Sequence, residues 1–194
     1  VFEGIDGTGK STQVARLAEW LRDQGHRVIQ SYEPTNGPYG TRLRESASKG
    51  RLSAEEELQL FLQDRREHVE TLIEPALEAG EMVLLDRYYF STMAYQGVRG
   101  FNPAEIRRIN EEFAPVPDLL LVMDLPLEAA LDRIGVRDGE LDAFEQHEAL
   151  RMCQEVFRSL EGEPFARMID ASRSLDEVSE QIRVAVRDAL GAAD

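Results

Sequence analysis

The sequence predicts an α/β fold, a three-layer sandwich of about five parallel strands with helices on both faces. Short apolar runs alternate with longer amphipathic stretches along the whole chain, which is the pattern of a parallel sheet with helical connections. No Pro/Ser-rich linker, internal repeat or low-complexity tract divides the 194 residues. Because a length near 200 residues suits one compact core, we predict a single domain over residues 1–194.

Five short apolar segments are predicted to form the strands. They are Val1–Glu3, Arg27–Tyr32, Met82–Leu85, Leu119–Met123 and Arg167–Ile169. Parallel strands covered on both faces usually consist of such continuous apolar runs. Since the first run starts at Val1 itself, we expect a few further residues upstream in the natural protein. Ligands bind at the carboxyl ends of strands in such sheets, so the residues after each strand are the first candidates for a site.

Helical periodicity is clear in the segments between these strands. Residues 11–23 carry an apolar side chain every three or four positions, and Gly25 ends the helix. Ser53 begins a longer helix with a capping box to Glu56. The other predicted helices are Pro103–Phe113, Leu127–Ile134, Phe144–Leu160 and Leu175–Leu190.

The first strand is followed by a phosphate-binding motif. The residues from Gly4 to Ser11 read GIDGTGKS and fit G-x-x-x-x-G-K-[ST], the P-loop, with a strand before the motif and a helix after it. Glycines let the backbone wrap around a phosphate, and successive N–H groups at the helix N-terminus stabilise the anion. The motif therefore predicts a P-loop NTPase fold. The predicted nucleotide-binding residues are Gly4, Gly7, Thr8, Gly9, Lys10, Ser11 and Thr12.

Two side chains of the motif have distinct predicted roles. Lys10 supplies a mobile charge for the β- and γ-phosphate oxygens, and Ser11 is a ligand for Mg²⁺. The alternative interpretation is a glycine-rich turn without a ligand. Both flanks of the motif argue against that alternative, as does the placement of one of only two lysines in the chain at this point.

The third predicted strand ends in Asp86-Arg87. P-loop folds place at this point the acid that holds Mg²⁺ or its water shell, and we therefore predict Asp86 as a second metal-site residue beside Ser11. The alternative is an Asp86–Arg87 ion pair that caps the strand.

The charge balance excludes several classes of partner. With 22 basic and 37 acidic residues the net charge is −15, which argues against a broad basic surface for nucleic acid polymers or anionic membranes. Cys153 is the only cysteine and excludes an intrachain disulfide, and the three histidines form no zinc signature. No apolar run reaches transmembrane length and no signal peptide precedes the motif, so we expect a cytoplasmic protein.

Arginines near the expected loops narrow the class of P-loop protein. A GTPase needs an [NT]-K-x-D guanine reader, and neither lysine lies in one. Transfer between two phosphates needs cations that neutralise donor and acceptor, and arginine recognises phosphate through two parallel hydrogen bonds. The candidate arginines are Arg44, Arg65, Arg66, Arg87, Arg99, Arg133 and Arg137. We therefore predict a nucleotide-type phosphate acceptor.

The sequence as a whole resembles the bacterial thymidylate (dTMP) kinase family. The resemblance extends over nearly the whole chain and is carried by residues 2–13, 33–34, 60–66, 73–77, 86–88 and 91–97. The resemblance implies a P-loop kinase domain that phosphorylates dTMP to dTDP by direct in-line transfer. It further implies ATP as co-substrate, Mg²⁺ as cofactor and a homodimer. The implied catalytic residues are Asp6, Lys10, Arg87 and Arg137.

The resemblance also implies roles in binding the acceptor nucleotide. Phe61 would stack on thymine, Arg65 would donate to its O4 and Thr92 would meet N3. The remaining acceptor residues would surround the sugar and phosphate: Tyr95 and Gln96 near the deoxyribose, Arg44 and Arg87 on the phosphate, Asp6 at the 3′-OH or supporting Mg²⁺, and Glu33 and Pro34 in the loop after the second strand. For Phe61 and Tyr95 the alternative interpretation is ordinary core packing.

By the same resemblance, residues 133–145 form a lid over ATP. Arg133 would pack against adenine, Arg137 would reach the transferring phosphates, and Asp170 and Ala171 would border adenine. Relatives place an extra catalytic arginine either in the P-loop or in the lid. Gly7 and Thr8 stand where a P-loop arginine would lie, so this chain resembles the lid type.

Three departures from the family pattern keep other functions open. Many relatives have Arg-Glu-Pro-Gly-Gly-Thr where residues 32–37 read Tyr-Glu-Pro-Thr-Asn-Gly. Ala143 replaces an arginine common in lids, and Asp138 puts an acid beside the lid cation. The alternatives are a P-loop kinase for another nucleoside monophosphate or a nucleoside, and a nucleotide-binding protein without turnover.

Overall fold

The computed structural model describes residues 1–50, 52–135 and 143–191, and its centre is a five-stranded parallel sheet. The strands are β1 Phe2–Glu3, β2 Val28–Tyr32, β3 Met82–Asp86, β4 Leu120–Asp124 and β5 Ala166–Asp170. All five predicted strands are confirmed, and no boundary differs from the prediction by more than one residue.

The strand order places the functional edge of the sheet at β1. The order is β2-β3-β1-β4-β5, and the central strand β1 pairs with β3 through Phe2 and Asp86 and with β4 through Phe2 and Leu121. From β1 the chain moves to one side of the sheet, and it later returns past β1 to the other side. The loops after β1, β3 and β4 therefore meet at a topological switch point, where ligands bind in such sheets.

Helices cover both faces because parallel connections are right-handed. They are α1 Lys10–Asp23, α2 Pro38–Lys49, α3 Ala54–His68, α4 Glu74–Glu78, α5 Tyr89–Val98, α6 Pro103–Glu111, α7 Leu127–Ile134, α8 Ala143–Arg158 and α9 Leu175–Gly191. A π-helical segment, Val69–Ile73, joins α3 to α4, and a 3₁₀ turn, Ser159–Gly162, follows α8. The connection from β1 through α1 leads toward the β2 edge of the sheet, whereas all later connections lead toward the β5 edge. The helix α1 packs against α9.

The six predicted helices are confirmed, including the capping box in which Ser53 accepts from the backbone N–H of Glu56 and Glu56 accepts from that of Ser53. The sequence did not predict α2, the short helix α4 or α5. Gly40 lies in the first turn of α2 and weakens its helical signal. Tyr89, Phe90 and Ala94 of α5 are fully buried, and a helix enclosed on most sides lacks an amphipathic pattern.

The helix α5 packs against α6 and α8 in the interior. Thr92 and Gln96 of this helix are 3% and 1% exposed, and the helix itself begins shortly after the end of β3. Buried side chains of α5 therefore lie close to the loops after β1 and β3, where a ligand is expected to bind. In the part of the chain that the structure describes, no helix is long and apolar enough to cross a membrane.

Candidate functional site

The P-loop connects β1 to α1 through a backbone that only glycine can adopt at two positions. Gly4 and Gly7 have φ values of 137° and 81°, in the region that L-residues rarely occupy. A Cβ on Gly4 would lie 2.6 Å from the carbonyl oxygen of Met123, and one on Gly7 would lie 2.7 Å from that of Ala130. At the N-cap of α1, Gly9 brings no side chain, which leaves N–H groups of the first turn for a ligand anion.

Lys10 lies almost buried beneath this loop. Its Nζ donates to the carbonyl oxygens of Gly4 at 3.0 Å and Ile5 at 2.9 Å. Burial, reinforced by the positive charge of Arg87, lowers the pKa of Lys10 to about 8, against the opposing effect of nearby carboxylates. The amine is therefore a poorly hydrated cation, which interacts strongly with a phosphate that enters the loop.

Ser11 and Asp86 come together from α1 and the end of β3. The Ser11 hydroxyl donates a hydrogen bond to the Asp86 carboxylate. A hydroxyl and a carboxylate side by side are the oxygen ligands that Mg²⁺ prefers, so these residues fit a magnesium ion shared with phosphate oxygens and water. The alternative of an Asp86–Arg87 ion pair is not observed, because the Arg87 guanidinium pairs with Asp6.

Arg87 joins the P-loop to α5. Its φ of 72° is in the left-handed region, an uncommon conformation for a residue with a side chain. One terminal nitrogen lies 2.5 Å from Asp6 Oδ1 and the other donates to Ser91 Oγ at 2.7 Å, while the guanidinium lies 5.2 Å from the ring centre of Tyr95. Burial opposes the charge, but Tyr95 and Asp6 outweigh it and raise the pKa of Arg87. Arg87 therefore remains a cation.

Glu3 supports this arrangement from below, and no role for it was predicted from the sequence. The residue is fully buried on β1, and its carboxylate accepts from the backbone N–H groups of Tyr88 at 2.7 Å and Ser91 at 3.0 Å, and from Ser91 Oγ at 2.6 Å. Burial raises the pKa of Glu3, although Arg87 opposes the shift. Glu3 thus fixes the start of α5 and, through Ser91, the Arg87 guanidinium. The sequence feature that could have indicated this role is an acidic residue in an apolar strand, directly before the P-loop.

Ser91→Ala is expected to raise KM for the phosphate acceptor about 10-fold, because it removes one hydrogen bond to Arg87, a loss of about 1.4 kcal/mol. The two backbone N–H bonds to Glu3 remain, and KM for ATP should change less than twofold. Steady-state kinetics with each substrate varied in turn measures both constants. The control is Ser159→Ala, in a different part of the chain. It removes a hydroxyl that donates a hydrogen bond to the carbonyl oxygen of Val156. Equal increases in both KM values would contradict a role through Arg87.

A second polar cluster surrounds Arg65 on α3, which is 1% exposed. Its Nε donates to Glu33 Oε2 at 2.9 Å, Nη1 to Asn110 Oδ1 at 2.6 Å and Nη2 to Thr92 Oγ1 at 3.1 Å. The other Glu33 oxygen lies 3.0 Å from His68 Nδ1. The structure therefore brings together three predicted acceptor residues, Arg65, Glu33 and Thr92. It adds Asn110 and His68, which were not predicted from the sequence to belong to the site.

The other predicted acceptor residues of α3 and α5 lie around this cluster. Phe61 precedes Arg65 by one helical turn, is half-buried and is not among the described residues that form or pack against the core. Core packing is therefore not its main role. Tyr95 packs against the core and also contacts Arg87. The Oε1 atom of Gln96 is buried and has no hydrogen-bond partner in the described part of the chain, which suits contact with a ligand.

The loop after β2 holds Arg44 at the edge of this region. Arg44 is exposed and donates to the carbonyl oxygen of Pro34 at 2.8 Å and to Asn36 Oδ1 at 3.0 Å. The buried carboxylate of Asp64 accepts from the backbone and hydroxyl of Thr35 and ties the loop to α3. The unusual residues Thr35 and Asn36 thus fix the loop and give Arg44 an oriented partner.

On the other side of the P-loop, Arg133 links the two predicted adenine-side segments. It donates to the carbonyl oxygens of Gly7 at 3.2 Å and Ala171 at 3.5 Å. Asp170 ends β5, and hydrogen bonds from Ser172 lower the pKa of its carboxyl. The predicted catalytic Arg137, with the rest of residues 136–142, lies outside the described residues.

Taken together, these contacts form one site with two parts. The P-loop with Lys10, Ser11 and Asp86 suits the phosphate chain of a nucleotide, and the cluster around Arg65 suits a polar aromatic ring. Arg87 contacts both the P-loop and α5, and Thr92 of α5 belongs to the cluster around Arg65. A fixed cation beside the phosphate-binding part, on the side of the second part, suits transfer of a phosphoryl group between bound molecules.

Known proteins with similar sequences support the same conclusion. The sequence profile described as "Thymidylate kinase" matches residues 2–182. The thymidylate kinase of Akkermansia muciniphila is 54% identical over 99% of this chain and 94% of its own length. Those of Desulfotalea psychrophila and Xanthomonas campestris pv. campestris are 48% and 50% identical, over 98% and 97% of this chain and 94% and 82% of their own lengths. By its sequence, the chain belongs to the thymidylate kinase family.

Proposed function

We propose that this protein transfers the γ-phosphoryl group of ATP to dTMP and produces dTDP and ADP. The observation that carries the proposal is the position of Arg87, which contacts Asp6 of the P-loop and Ser91 and Tyr95 of α5. A single guanidinium can thereby face an acceptor phosphate beside the donor phosphates. The family relationship supports the same reaction and the same two substrates.

The proposed mechanism rests on positioning and charge neutralisation. The P-loop N–H groups and Lys10 bind the donor phosphates, and Arg87, with Arg44 at the loop edge, binds the acceptor phosphate. An acceptor phosphate oxygen attacks the γ-phosphorus in line, and the bond to the β-phosphate oxygen breaks. No covalent protein intermediate is needed. Ser11 and Asp86 would hold Mg²⁺, which would neutralise charge on the donor phosphates when bound.

The proposed recognition of thymine follows from the cluster around Arg65. Phe61 offers an aromatic face, and stacking of a base on such a ring contributes about 1–3 kcal/mol. Thr92 Oγ1 already accepts from Arg65 and has a second lone pair for the N3–H group. A guanidinium N–H donates to the O4 of thymine but meets a second donor in the amino group of cytosine. Gln96 and Tyr95 would lie against the deoxyribose.

One observation favours a second candidate, a kinase for another nucleoside monophosphate. The loop of residues 32–37 departs from the usual family sequence, and its Asn36 holds Arg44. A coupled assay with ATP, Mg²⁺ and a panel of nucleosides and monophosphates separates the candidates. We expect dTMP to give the highest kcat/KM. Preference for dUMP or dCMP would overturn the dTMP assignment, and binding of ATP without turnover of any acceptor would indicate a nucleotide-binding protein.

Binding of ATP is expected to take up a proton at Lys10. The pKa of Lys10 is lowered to about 8 without ligand, and phosphates beside the amine raise it again. At about pH 8.5 the free amine is mostly neutral, so binding should take up more than about half a proton per site. At about pH 6.5 Lys10 is already charged and contributes none. Titration calorimetry in buffers of different ionisation enthalpy measures the difference, and Lys10→Met should abolish the uptake at pH 8.5. An uptake unchanged in that variant would contradict the assignment.

The assembly and the compartment are also proposals. The family relationship supports a homodimer, and light scattering at several protein concentrations tests it. We propose the cytoplasm as the compartment, and the single buried thiol of Cys153 is consistent with a reducing environment. Fractionation of cells that produce the full-length protein tests the location.

A further inference from the structure

Asn110 lies in the last turn of α6, where it contacts Arg65 directly. It is fully buried; its Oδ1 accepts from Arg65 Nη1 at 2.6 Å, and its Nδ2 donates to the carbonyl oxygen of Ile106 at 2.8 Å. The second bond fixes which way the amide faces, because Nδ2 must point along the helix to the preceding turn. Asparagine is costly to bury without partners. Its place here is explained by the bond to Arg65.

The guanidinium of Arg65 is held on three sides. Glu33 Oε2 takes the edge formed by Nε and Nη2, at 2.9 and 2.6 Å, and Thr92 takes the other N–H of Nη2. Asn110 takes one N–H of Nη1, and the Tyr88 ring lies 5.4 Å from the guanidinium carbon. An arginine has five N–H groups, so these contacts leave one, on Nη1, for a further acceptor.

The contribution of Asn110 differs from that of Glu33. Glu33 neutralises the buried charge, and a guanidinium paired with a carboxylate on one edge can still tilt about that edge. Asn110 is neutral and binds the opposite terminal nitrogen, so it adds orientation without adding charge. The direction of the remaining Nη1 N–H therefore depends on Asn110.

We propose that Asn110 is a specificity-determining residue that acts through Arg65. It holds the guanidinium so that the remaining Nη1 N–H meets a carbonyl at position 4 of a pyrimidine base and opposes an amino group there. The inference rests on the proposed function, since it deepens the account of base selection at the same site. It predicts that Asn110 controls the preference for dTMP over dCMP without touching the nucleotide.

Asn110→Leu keeps the branched shape and the number of side-chain heavy atoms, and it removes the acceptor. We expect KM for dTMP to rise about 10-fold and the ratio of kcat/KM for dTMP over dCMP to fall about 10-fold, the value of one hydrogen bond. KM for ATP should stay within twofold. Asn110→Asp keeps an oxygen toward Arg65 and should restore most of the selectivity ratio. Asn110→Ala serves as a second truncation should the leucine variant not fold, since it adds no bulk to the core.

The control is Asn102→Ala on the same helix. Asn102 caps α6 by accepting from the backbone N–H of Ala104 at 2.9 Å, so the variant destabilises α6 and leaves the residues around Arg65 in place. The inference is overturned if Asn102→Ala lowers the selectivity ratio as much as Asn110→Leu does, or if a folded Asn110→Leu or Asn110→Ala keeps the wild-type ratio. Wild-type protein without a preference for dTMP over dCMP would overturn the proposed function as well, which distinguishes the two failures.

Discussion

Lys10→Met is expected to lower kcat for phosphoryl transfer on the order of 10³-fold, the scale measured when a preorganised donor to developing charge is removed. The Lys10 amine lies under the P-loop, largely shielded from water, where its attraction to phosphate is strongest. Methionine fills similar space without a charge. Single-turnover measurements with saturating ATP and dTMP isolate the transfer step from product release.

The fold should survive this substitution. Burial already disfavours the charged amine, as its lowered pKa shows, so replacing it relieves an unfavourable term at neutral pH. The free energy of unfolding of Lys10→Met should therefore equal or exceed the wild-type value in urea titrations at pH 7. Arg16→Met on the same helix is the control, because its cation pairs with the exposed Asp176, and kcat should stay within twofold. Near-normal transfer by a folded Lys10→Met would exclude the lysine from the mechanism.

The sequence predicted those features whose signals are local. Each strand is a continuous apolar run, and the P-loop contains its own glycines, lysine and serine within eight residues, so both were located without knowledge of the fold. The position of Asp86 followed because a strand ends there and parallel strands end at a common edge. Ser11 of α1 and Asp86 of β3 meet at this edge through a hydrogen bond.

The features that were missed depend on contacts between distant segments. Arg65 was predicted to read a base, but its partners Glu33 and Asn110 lie 32 and 45 residues away in sequence, and no periodic pattern indicates such pairing. Glu3 was overlooked because an acid in a strand gains a partner only once α5 is placed beside β1. The helix α5 itself was missed because it is enclosed by α6 and α8, and even its polar residues are buried, so it lacks a solvent-exposed polar face.

Replacing Arg65 is expected to affect both stability and binding of dTMP, because Arg65 forms a buried ion pair with Glu33. Arg65→Met is expected to lower the free energy of unfolding by about 3–5 kcal/mol, because it leaves the Glu33 carboxylate buried without its guanidinium. The same variant should raise KM for dTMP more than about 100-fold, since a charged donor to the base is lost and the cluster that orients Thr92 is broken. KM for ATP should change far less. Arg66→Met is the control, because the neighbouring guanidinium lies 3.9 Å from the ring centre of Phe113 and outside the cluster.

A double variant separates the two effects. Glu33→Gln combined with Arg65→Met removes the uncompensated charge while keeping an amide beside His68, and replacement of both partners of a buried pair is often near neutral. We expect the double variant to recover at least about 2 kcal/mol of the lost stability, measured by urea unfolding. Its KM for dTMP should remain as high as in Arg65→Met, because neither new side chain donates to O4 in the place of the guanidinium. Recovery of KM together with stability would mean that Arg65 acts on dTMP only by maintaining the fold; separation of the two would make Arg65 a residue that contacts the base.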